Sequence, residues 1–377
     1  MKRILTLLLV GVSLITSAQE RCGTEAYTKN LKKNNSSYAI ALDKVNSQTE
    51  NWIKNHPYHR EKTIITIPVV VHVVWKTNTE NISDAQIFSQ IDVLNKDFRR
   101  LNHDTSDTPP VWQSIAADSE IEFCLATTDP NGNTTTGITR TETTETEFTY
   151  GNWGSDDLKN TASGGINAWP NNDYLNIWVC NLTGGTLGYA TFPTNVIGSQ
   201  DGVVVGFKYF GTTGALQSPY NKGRTATHEV GHWLSLNHLW GNGNCGNDQV
   251  SDTPKQKDEN YNCGTFPFQD PTIICNTTGV NGTMFMNYMD YTNDACMNLF
   301  TNGQKTRMLA AINQYRSNLL SHNLCSGSVG ISEQTNNKKK LIKIVDVLGR
   351  MSTEKQTNTP LFYIYDNGSV EKKMIIE

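Results

Sequence analysis

Residues 228–238 read His-Glu-Val-Gly-His-Trp-Leu-Ser-Leu-Asn-His. On an α-helix, residues four positions apart share a face, so His228 and His232 can direct their imidazoles at one ion, with the Glu229 carboxylate beside it. A catalytic Zn²⁺ site takes three protein ligands and leaves one position open for water. This stretch therefore predicts a helix that carries two zinc ligands, and it requires a third ligand from elsewhere.

The predicted third ligand is His238, ten residues after His228. Ten helical steps of about 100° would carry it away from the ion, so it can bind only if the helix ends first, near Ser235. Helices often end at a left-handed residue, most cheaply glycine, and a serine there costs about 1 kcal/mol. In an alternative arrangement, the third ligand is a downstream glutamate such as Glu259.

These residue types predict hydrolysis. A bound Zn²⁺ lowers the pKa of its water toward about 7 and polarises a scissile carbonyl. Glu229 would accept the proton of that water and pass it to the leaving amine. The alternative from another class is an adhesin or binding module that holds a metal only for structure, and an open position beside Glu229 argues against it.

The first 18 residues have the pattern of a secretory signal peptide, with a positive start at 1–3, an apolar run over 4–15 and small residues at 16–18. The run is shorter than the roughly 20 residues that a bilayer span needs, and no later stretch is long enough. We therefore expect no transmembrane segment and a secreted or cell-surface location.

Charge and cysteine content narrow the partners and the compartment. Among 377 residues, 32 Lys and Arg stand against 36 Asp and Glu, which gives a formal net charge of −4 and no basic field for nucleic acid. Export would place the eight cysteines in an oxidising compartment, where pairs become disulfides. Cys22 lies alone just behind the predicted signal cut, which favours a role other than bridging the fold.

Hydrophobic patterns predict an α/β (α+β) domain with a twisted mixed sheet. Residues 64–75 form a β-branched run typical of a buried strand, and 83–98 form an amphipathic helix with a capping-box start. The glycine-rich stretch 184–191 predicts an edge strand that could pair with an extended peptide. Further strands are expected at 121–126, 174–180 and 202–207, and a last helix from 303 to about 320.

Composition divides the chain into five parts: the signal peptide (1–18), a polar detachable segment (19–62), the catalytic domain (63–325), a polar linker (326–340) and a small β appendage (341–377). Between Gly241 and Cys296 all periodicity disappears while cysteines accumulate. So long an irregular stretch requires disulfides or ions to hold it.

Two motifs resemble those of the metzincin metalloproteases, and their wording is similar to the pappalysin family, particularly its cytophagalysin-like and ulilysin-like members. One is residues 228–238, in which Ser235 stands where the family usually has glycine; the other is Asn-Tyr-Met-Asp-Tyr at 287–291. The resemblance implies a metzincin fold and a zinc endopeptidase that binds extracellular proteins or peptides as extended strands. It places Met289 in a turn beneath the metal and Tyr291 beside it, where the phenol can hydrogen-bond the tetrahedral oxyanion.

The stretch Arg-Cys-Gly-Thr at 21–24 is similar to the cysteine switch of family zymogens. It implies that the Cys22 thiolate binds the zinc and that residues 19–62 form an inhibitory propeptide. Release would follow cleavage near Arg60 or Lys62. The alternative for Cys22 is an unpaired or lipid-linked thiol near a new N-terminus.

Residues 248–254 resemble a family loop that binds Ca²⁺, which implies Asp248, Asp252 and Thr253 as ligands; an acidic solvated turn is the alternative. The resemblance also implies two disulfides, and of the remaining cysteines two would then pair between strands, which leaves Cys325 unassigned. The implied disulfides are Cys245–Cys275 and Cys263–Cys296, and the pair between strands is Cys124–Cys180.

The C-terminal stretches 341–350 and 370–377 look like the sorting domain of the Bacteroidetes type IX secretion route. That resemblance implies the type IX machinery as a partner. A generic β module is the alternative.

Overall fold

The computed structural model describes residues 21–56, 64–151, 156–321, 324–325, 341–346, 350–352, 360–365 and 370–373. The predicted signal peptide, the predicted cleavage region near Arg60 and Lys62, and the predicted linker 326–340 lie outside these residues. The chain divides into two compact units, Met1–Gly327 and Ser328–Glu377, and each is considered by itself.

The first unit, within the described residues, contains six α-helices and six strands. The α-helices are α1 (Thr24–Asn34), α2 (Ser36–Asn55), α3 (Asp84–Phe98), α4 (Pro110–Gln113), α5 (Arg224–Trp233) and α6 (Asn302–Tyr315). The strands are β1 (Ile65–Trp75), β2 (Ile121–Leu125), β3 (Ile138–Glu142), β4 (Leu175–Cys180), β5 (Gly188–Ala190) and β6 (Val203–Gly206).

The strands form one mixed sheet in the order β2-β1-β4-β6-β5, and β3 also pairs with β1. β1 is long enough to have two parallel partners in succession, β2 along 65–69 and β3 along 71–75. β5 runs antiparallel to β6 and forms the edge. The predicted mixed sheet is confirmed, although β3 escaped prediction because Ile138 is its only apolar residue.

Both faces of β1 are buried, as its β-branched run predicts. Successive side chains of a strand point to opposite faces. Val69, Val71 and Val73 belong to the large core that includes residues of α3 and α5, whereas Val70 and Val74 belong to separate clusters. Helix α3 begins where its capping pattern predicts, with the Ser83 hydroxyl accepting the Gln86 N–H at 3.2 Å. The Gln86 side chain does not complete the predicted capping box, because it donates to the Phe207 and Phe210 carbonyls instead.

The N-terminal segment, defined here as residues 21–56, folds as α1 and α2 against the other face of the sheet. The Asn35 side chain starts α2 by accepting the Tyr38 N–H at 2.9 Å. Tyr27, Leu31 and Tyr38 are buried in one cluster with Trp178, Tyr189 and Val204 of the sheet. Because these buried side chains lie within a largely polar stretch, the sequence pattern did not predict the two helices.

Residues 241–296, all of them described, contain no helix or strand. Two disulfides cross this stretch, Cys245–Cys275 and Cys263–Cys296. They are the two pairs that the family resemblance implied for it. Covalent links therefore supply here the order that periodic packing supplies elsewhere.

The predicted Cys124–Cys180 disulfide is wrong. Cys124 pairs with Cys325, and Cys180 is a buried free thiol. Cys124 lies on β2 and Cys180 on β4, and β1 runs between these strands. β2 and β4 are therefore two strand spacings of about 4.8 Å apart. That separation exceeds the roughly 7 Å that a disulfide allows between Cα atoms.

The second unit contains a three-stranded antiparallel sheet in the order β7-β8-β9. Its strands are β7 (Leu341–Val345), β8 (Leu361–Tyr365) and β9 (Val370–Lys373). Ile344, Leu361 and Tyr363 form a small core. Across the described parts of both units, we find no helix with the length and apolar character that crossing a bilayer requires.

Removing the long-range disulfide tests this pairing. Cys325→Ser should lower the free energy of unfolding by about 3–5 kcal/mol, because the bridge closes a very long loop in the unfolded chain. Denaturant titration of the variant against wild type measures the loss. In parallel, mass mapping of the non-reduced protein should find the Cys124–Cys325 crosslink and label Cys180 only after denaturation; a Cys124–Cys180 crosslink would contradict the assignment.

Candidate metal centre

Helix α5 is fixed at its first residue by buried charge. The Arg224 guanidinium lies 3.3 Å from Asp97 of α3 and 2.6 Å from Asp104. All ten residues of α5 are buried. A buried arginine is stable only when its donors are paired, so these two carboxylates set the position from which the helix starts.

Helix α5 ends at the predicted position. Ser235 adopts a left-handed backbone with φ 76°. The Ser235 N–H donates to the His232 carbonyl at 2.8 Å, and the Leu236 N–H donates to the Gly231 carbonyl at 2.9 Å. These two bonds form a Schellman motif. The Nε–H of Arg307, on α6, donates to the Ser235 carbonyl at 2.6 Å. This bond stabilises a left-handed conformation that glycine adopts more readily than serine.

The turn brings three imidazoles together. The Nε2 atom of His238 lies 3.2 Å from that of His228 and 3.0 Å from that of His232, and the latter two are 3.1 Å apart. Three nitrogens at about 2.0–2.1 Å from one tetrahedral Zn²⁺ stand about 3.3–3.4 Å apart, so the donor set fits this ion. Glu259, the alternative ligand, instead accepts the Tyr261 hydroxyl at 2.9 Å.

Each imidazole is oriented through its other nitrogen. The Nδ1 atom of His228 lies 2.7 Å from the Tyr288 carbonyl, and that of His232 lies 2.7 Å from the Leu236 carbonyl. The Nδ1 atom of His238 lies 2.7 Å from Glu25 Oε1. Acceptors at Nδ1 keep the proton there and leave Nε2 free to bind a metal. Burial lowers the pKa of all three rings and so favours the neutral form that a metal requires.

Cys22 and Glu229 occupy the open side of the triad. The Cys22 Sγ and the three Nε2 atoms all lie within 4.8 Å of one another. Glu229 Oε2 lies 3.4 Å from Cys22 Sγ and accepts the Thr24 hydroxyl at 3.0 Å. Burial raises the pKa of Glu229 to about 8. A divalent cation beside this carboxyl group would favour its charged form.

Met289 packs beneath helix α5, and Tyr291 lies beside the three imidazoles. A Cβ atom on Gly231 would come within 2.5 Å of the Met289 sulfur, so the methionine packs directly against the helix that carries the ligands. The Tyr291 ring lies 5.0 Å from the His238 ring, and its hydroxyl donates to the Cys22 carbonyl at 3.4 Å. The phenol therefore faces the same space as the thiol.

The predicted edge strand pairs with an extended chain, and that chain is the N-terminal segment. Gly23 N–H donates to the Gly188 carbonyl at 2.9 Å, and Leu187 N–H donates to the Arg21 carbonyl at 3.0 Å. The pairing is parallel. The Ala190 N–H is bound at 2.9 Å by the Thr24 hydroxyl.

Arg21 fills a buried acidic pocket beside Cys22. Its side chain is 2% exposed and lies 3.6 Å from Asp294 Oδ1, with its guanidinium 5.0 Å from the Tyr220 ring centre. The other Asp294 oxygen accepts the backbone N–H groups of Lys222 and Arg224. Asp294 Oδ1 has no hydrogen bond within the described residues, so a cation is its natural partner.

The structure does not gather the three implied calcium ligands. The Asp252 carboxylate accepts the Thr301 hydroxyl at 2.7 Å and the Gly303 N–H at 2.8 Å, which fixes the start of α6. Thr253 donates its hydroxyl to Asp248 at 2.6 Å. Protein donors thus already satisfy these carboxylates, and the findings do not support calcium.

Sequence reasoning missed four residues of this centre: Thr24, Glu25, Asp294 and Arg307. Thr24 ends the stretch that resembles the cysteine switch, but the resemblance gave it no role, and Glu25 directly follows that stretch. Asp294 and Arg307 act on Arg21 and Ser235 from more than 70 positions away in sequence. No local pattern indicates such contacts.

Comparisons with known proteins agree on one family. The Peptidase M43 profile, described as pregnancy-associated plasma protein-A, matches residues 160–313. An extracellular metalloprotease of Podospora anserina is 31% identical over 75% of this chain and 86% of its own length. This chain spans only about half the length of some other curated relatives. One of them, extracellular metalloprotease 1 of Coccidioides posadasii, is 40% identical over 38% of this chain and 51% of its own length.

Two solved structures from Tannerella forsythia are similar to this chain. A promirolysin variant is 47% identical, covers 80% of this chain and 97% of its own, and has a TM-score of 0.70. Mature mirolysin in complex with a cleaved peptide is 52% identical, covers 68% and 96% respectively, and has a TM-score of 0.64. The similarity therefore includes both sequence and fold.

Proposed function

Because this chain belongs to the pappalysin family, peptidase M43, we propose that it is a zinc metalloendopeptidase that hydrolyses peptide bonds of extracellular proteins. The observation that carries the proposal is the convergence of three Nε2 atoms, 3.0–3.2 Å apart, beside the Glu229 carboxylate. A relative named extracellular metalloprotease and a related structure named for its cleaved peptide support the same activity.

His228, His232 and His238 would hold the zinc ion. When bound there, zinc would lower the pKa of a water molecule toward about 7 and polarise the scissile carbonyl. Glu229 would accept the proton of the attacking water and deliver it to the leaving amine. Burial raises the pKa of Tyr291 well above its usual value, so its phenol stays protonated and would donate a hydrogen bond to the oxyanion.

Glu229→Gln separates metal binding from catalysis. With the N-terminal segment removed from both proteins, the variant should keep its zinc and cleave casein at least about a hundred-fold more slowly than wild type, because the proton acceptor is gone while the ligands remain. Metal analysis and a cleavage assay measure the two effects, with Glu259→Gln as a control outside the centre. Cleavage at the wild-type rate would refute the role of Glu229, and wild-type casein cleavage that a chelator does not abolish would refute the metalloprotease.

We further propose that the N-terminal segment is the inhibitory part of a zymogen, with the propeptide spanning residues 19–62. The Cys22 thiolate would take the fourth position at the zinc, and the Thr24 hydroxyl would occupy the proton-accepting oxygen of Glu229. The match with promirolysin covers 80% of this chain and the match with mature mirolysin covers 68%, which supports a removable part.

Cys22→Ala should make the uncleaved protein active. Loss of the thiolate opens the fourth position to water, so the unprocessed variant should hydrolyse a short peptide at least about ten-fold faster than the unprocessed wild type. Processing must be blocked by replacing Arg60 and Lys62 with glutamine in both proteins. Cys180→Ala, which removes another buried free thiol, is the matched control. An inactive Cys22→Ala protein with bound zinc would contradict the switch.

Export completes the proposal. A signal peptide at 1–18, a catalytic domain at 63–325, a linker at 326–340 and a type IX sorting domain at 341–377 would carry the enzyme outside the cell. The relatives named as extracellular support this location, and the antiparallel sheet of the second unit is compatible with a sorting module.

The Arg21 pocket supports a preference for basic side chains next to the cleaved bond. Arg21 precedes Cys22 at the metal, and once the propeptide has left, the buried Asp294 Oδ1 would lack its cation. A buried carboxylate of this kind favours a positively charged side chain of the substrate, because a substrate that leaves the carboxylate unpaired binds less tightly.

Asp294→Asn tests this preference in the activated enzyme. Wild type should cleave a peptide with arginine beside the scissile bond at least about ten-fold faster, in kcat/KM, than the same peptide with neutral citrulline. In the variant, the ratio of kcat/KM between the arginine and citrulline peptides should be smaller, mainly because kcat/KM for the arginine peptide falls. General structural damage would slow both peptides equally, and an unchanged ratio would refute the role of Asp294.

A further inference from the structure

A second side chain of the N-terminal segment enters a pocket of the first unit. Tyr27 is fully buried, and its ring meets the Tyr189 ring edge to face with centroids 4.9 Å apart. Trp178 lies in the same buried cluster. The pocket thus has aromatic walls supplied by β4 and β5, on the sheet face opposite the large core.

The pocket also has a charged floor formed by Asp156 and Lys159. The Tyr27 hydroxyl donates to Asp156 Oδ2 at 3.0 Å and accepts from Lys159 Nζ at 3.3 Å. Lys159 Nζ donates in addition to the Gln200 carbonyl at 2.8 Å. Asp156 and Lys159 are only 3% and 5% exposed, so each needs its partners within the protein.

This floor is complementary to a phenol. A hydroxyl group donates one hydrogen bond and accepts others, which matches an acceptor at Asp156 and a donor at Lys159. The ammonium group also lies 4.8 Å from the Tyr27 ring centre and 5.1 Å from the Trp178 ring centre. A phenylalanine would keep the aromatic contacts but leave both charged groups with one partner fewer.

The pocket lies beside the strand that binds an extended chain. Tyr189, one of its walls, lies between Gly188 and Ala190, whose backbone groups bind Gly23 and Thr24. Walls and floor all belong to residues 156–189, whereas the occupant belongs to the segment proposed to be removed. Departure of that segment would remove the Tyr27 contacts of Asp156, Lys159 and the Tyr189 ring together.

We propose that this pocket is a subsite for a tyrosine side chain of the polypeptide substrate, which takes the place of Tyr27 after activation. The proposal rests on peptide hydrolysis, the proposed function. It adds a second anchoring point, separate from the Asp294 pocket, along the substrate chain. A tyrosine there restores the hydrogen bonds that Asp156 and Lys159 lose with the propeptide.

The first test uses the activated enzyme and a series of peptides that share one cleavage site. A single tyrosine is moved one residue at a time away from the scissile bond, and each peptide has a phenylalanine counterpart. At one position, the tyrosine peptide should have a kcat/KM about ten-fold higher than the phenylalanine peptide. Phenylalanine lacks the hydroxyl and would leave buried polar groups of the pocket unpaired. Lys159→Met should abolish this difference, whereas the exposed Lys208→Met should preserve it.

The second test needs no variant of the enzyme. Synthetic residues 21–34 should inhibit the activated enzyme, and the Tyr27→Phe form of the peptide should show a Ki about ten-fold higher. Equal Ki values, or equal kcat/KM for tyrosine and phenylalanine at all positions, would overturn the subsite while leaving peptide hydrolysis intact. Absence of any hydrolysis would instead refute the proposed function itself.

Discussion

The metal centre depends on one backbone constraint, the left-handed residue that ends helix α5. If the helix continued past Ser235, His238 would rotate away from His228 and His232 and no third nitrogen would reach the ion. Serine is not the residue that this conformation favours. The Schellman hydrogen bonds and the Arg307 guanidinium hold it nonetheless, while the sulfur of Met289 packs against the helix just before the turn.

Sequence reasoning succeeded where the information is local. The spacing of 228–238 predicted both the ligand helix and its end, and the β-branched run at 64–75 predicted the central strand. It failed where the deciding contact lies far away in sequence. The pairing of Cys124 depends on which strand separates it from Cys180, and β3 depends on a neighbour that buries its backbone rather than its side chains. Helices α1 and α2 depend on a sheet face that no local pattern reveals.

The N-terminal segment contacts the rest of the first unit through several different kinds of interaction over a very short stretch. Arg21 contributes a charge, and Cys22 contributes a thiol beside the three histidines. Gly23 pairs through its backbone, and Tyr27 contributes a phenol. Each contact engages a group that is costly to bury without a partner. Under the proposed inhibitory role, the groups that this segment covers are the ones expected to contact a polypeptide substrate.

The Cys124–Cys325 disulfide has a mechanical consequence. It joins the last described residues of the first unit to β2, and the Leu324 carbonyl beside it accepts the Thr127 N–H. In the sheet order, β2 and β5 lie at opposite ends. A pulling force applied through Cys325 would therefore enter the sheet at β2, which three strands separate from the edge that pairs with the N-terminal segment.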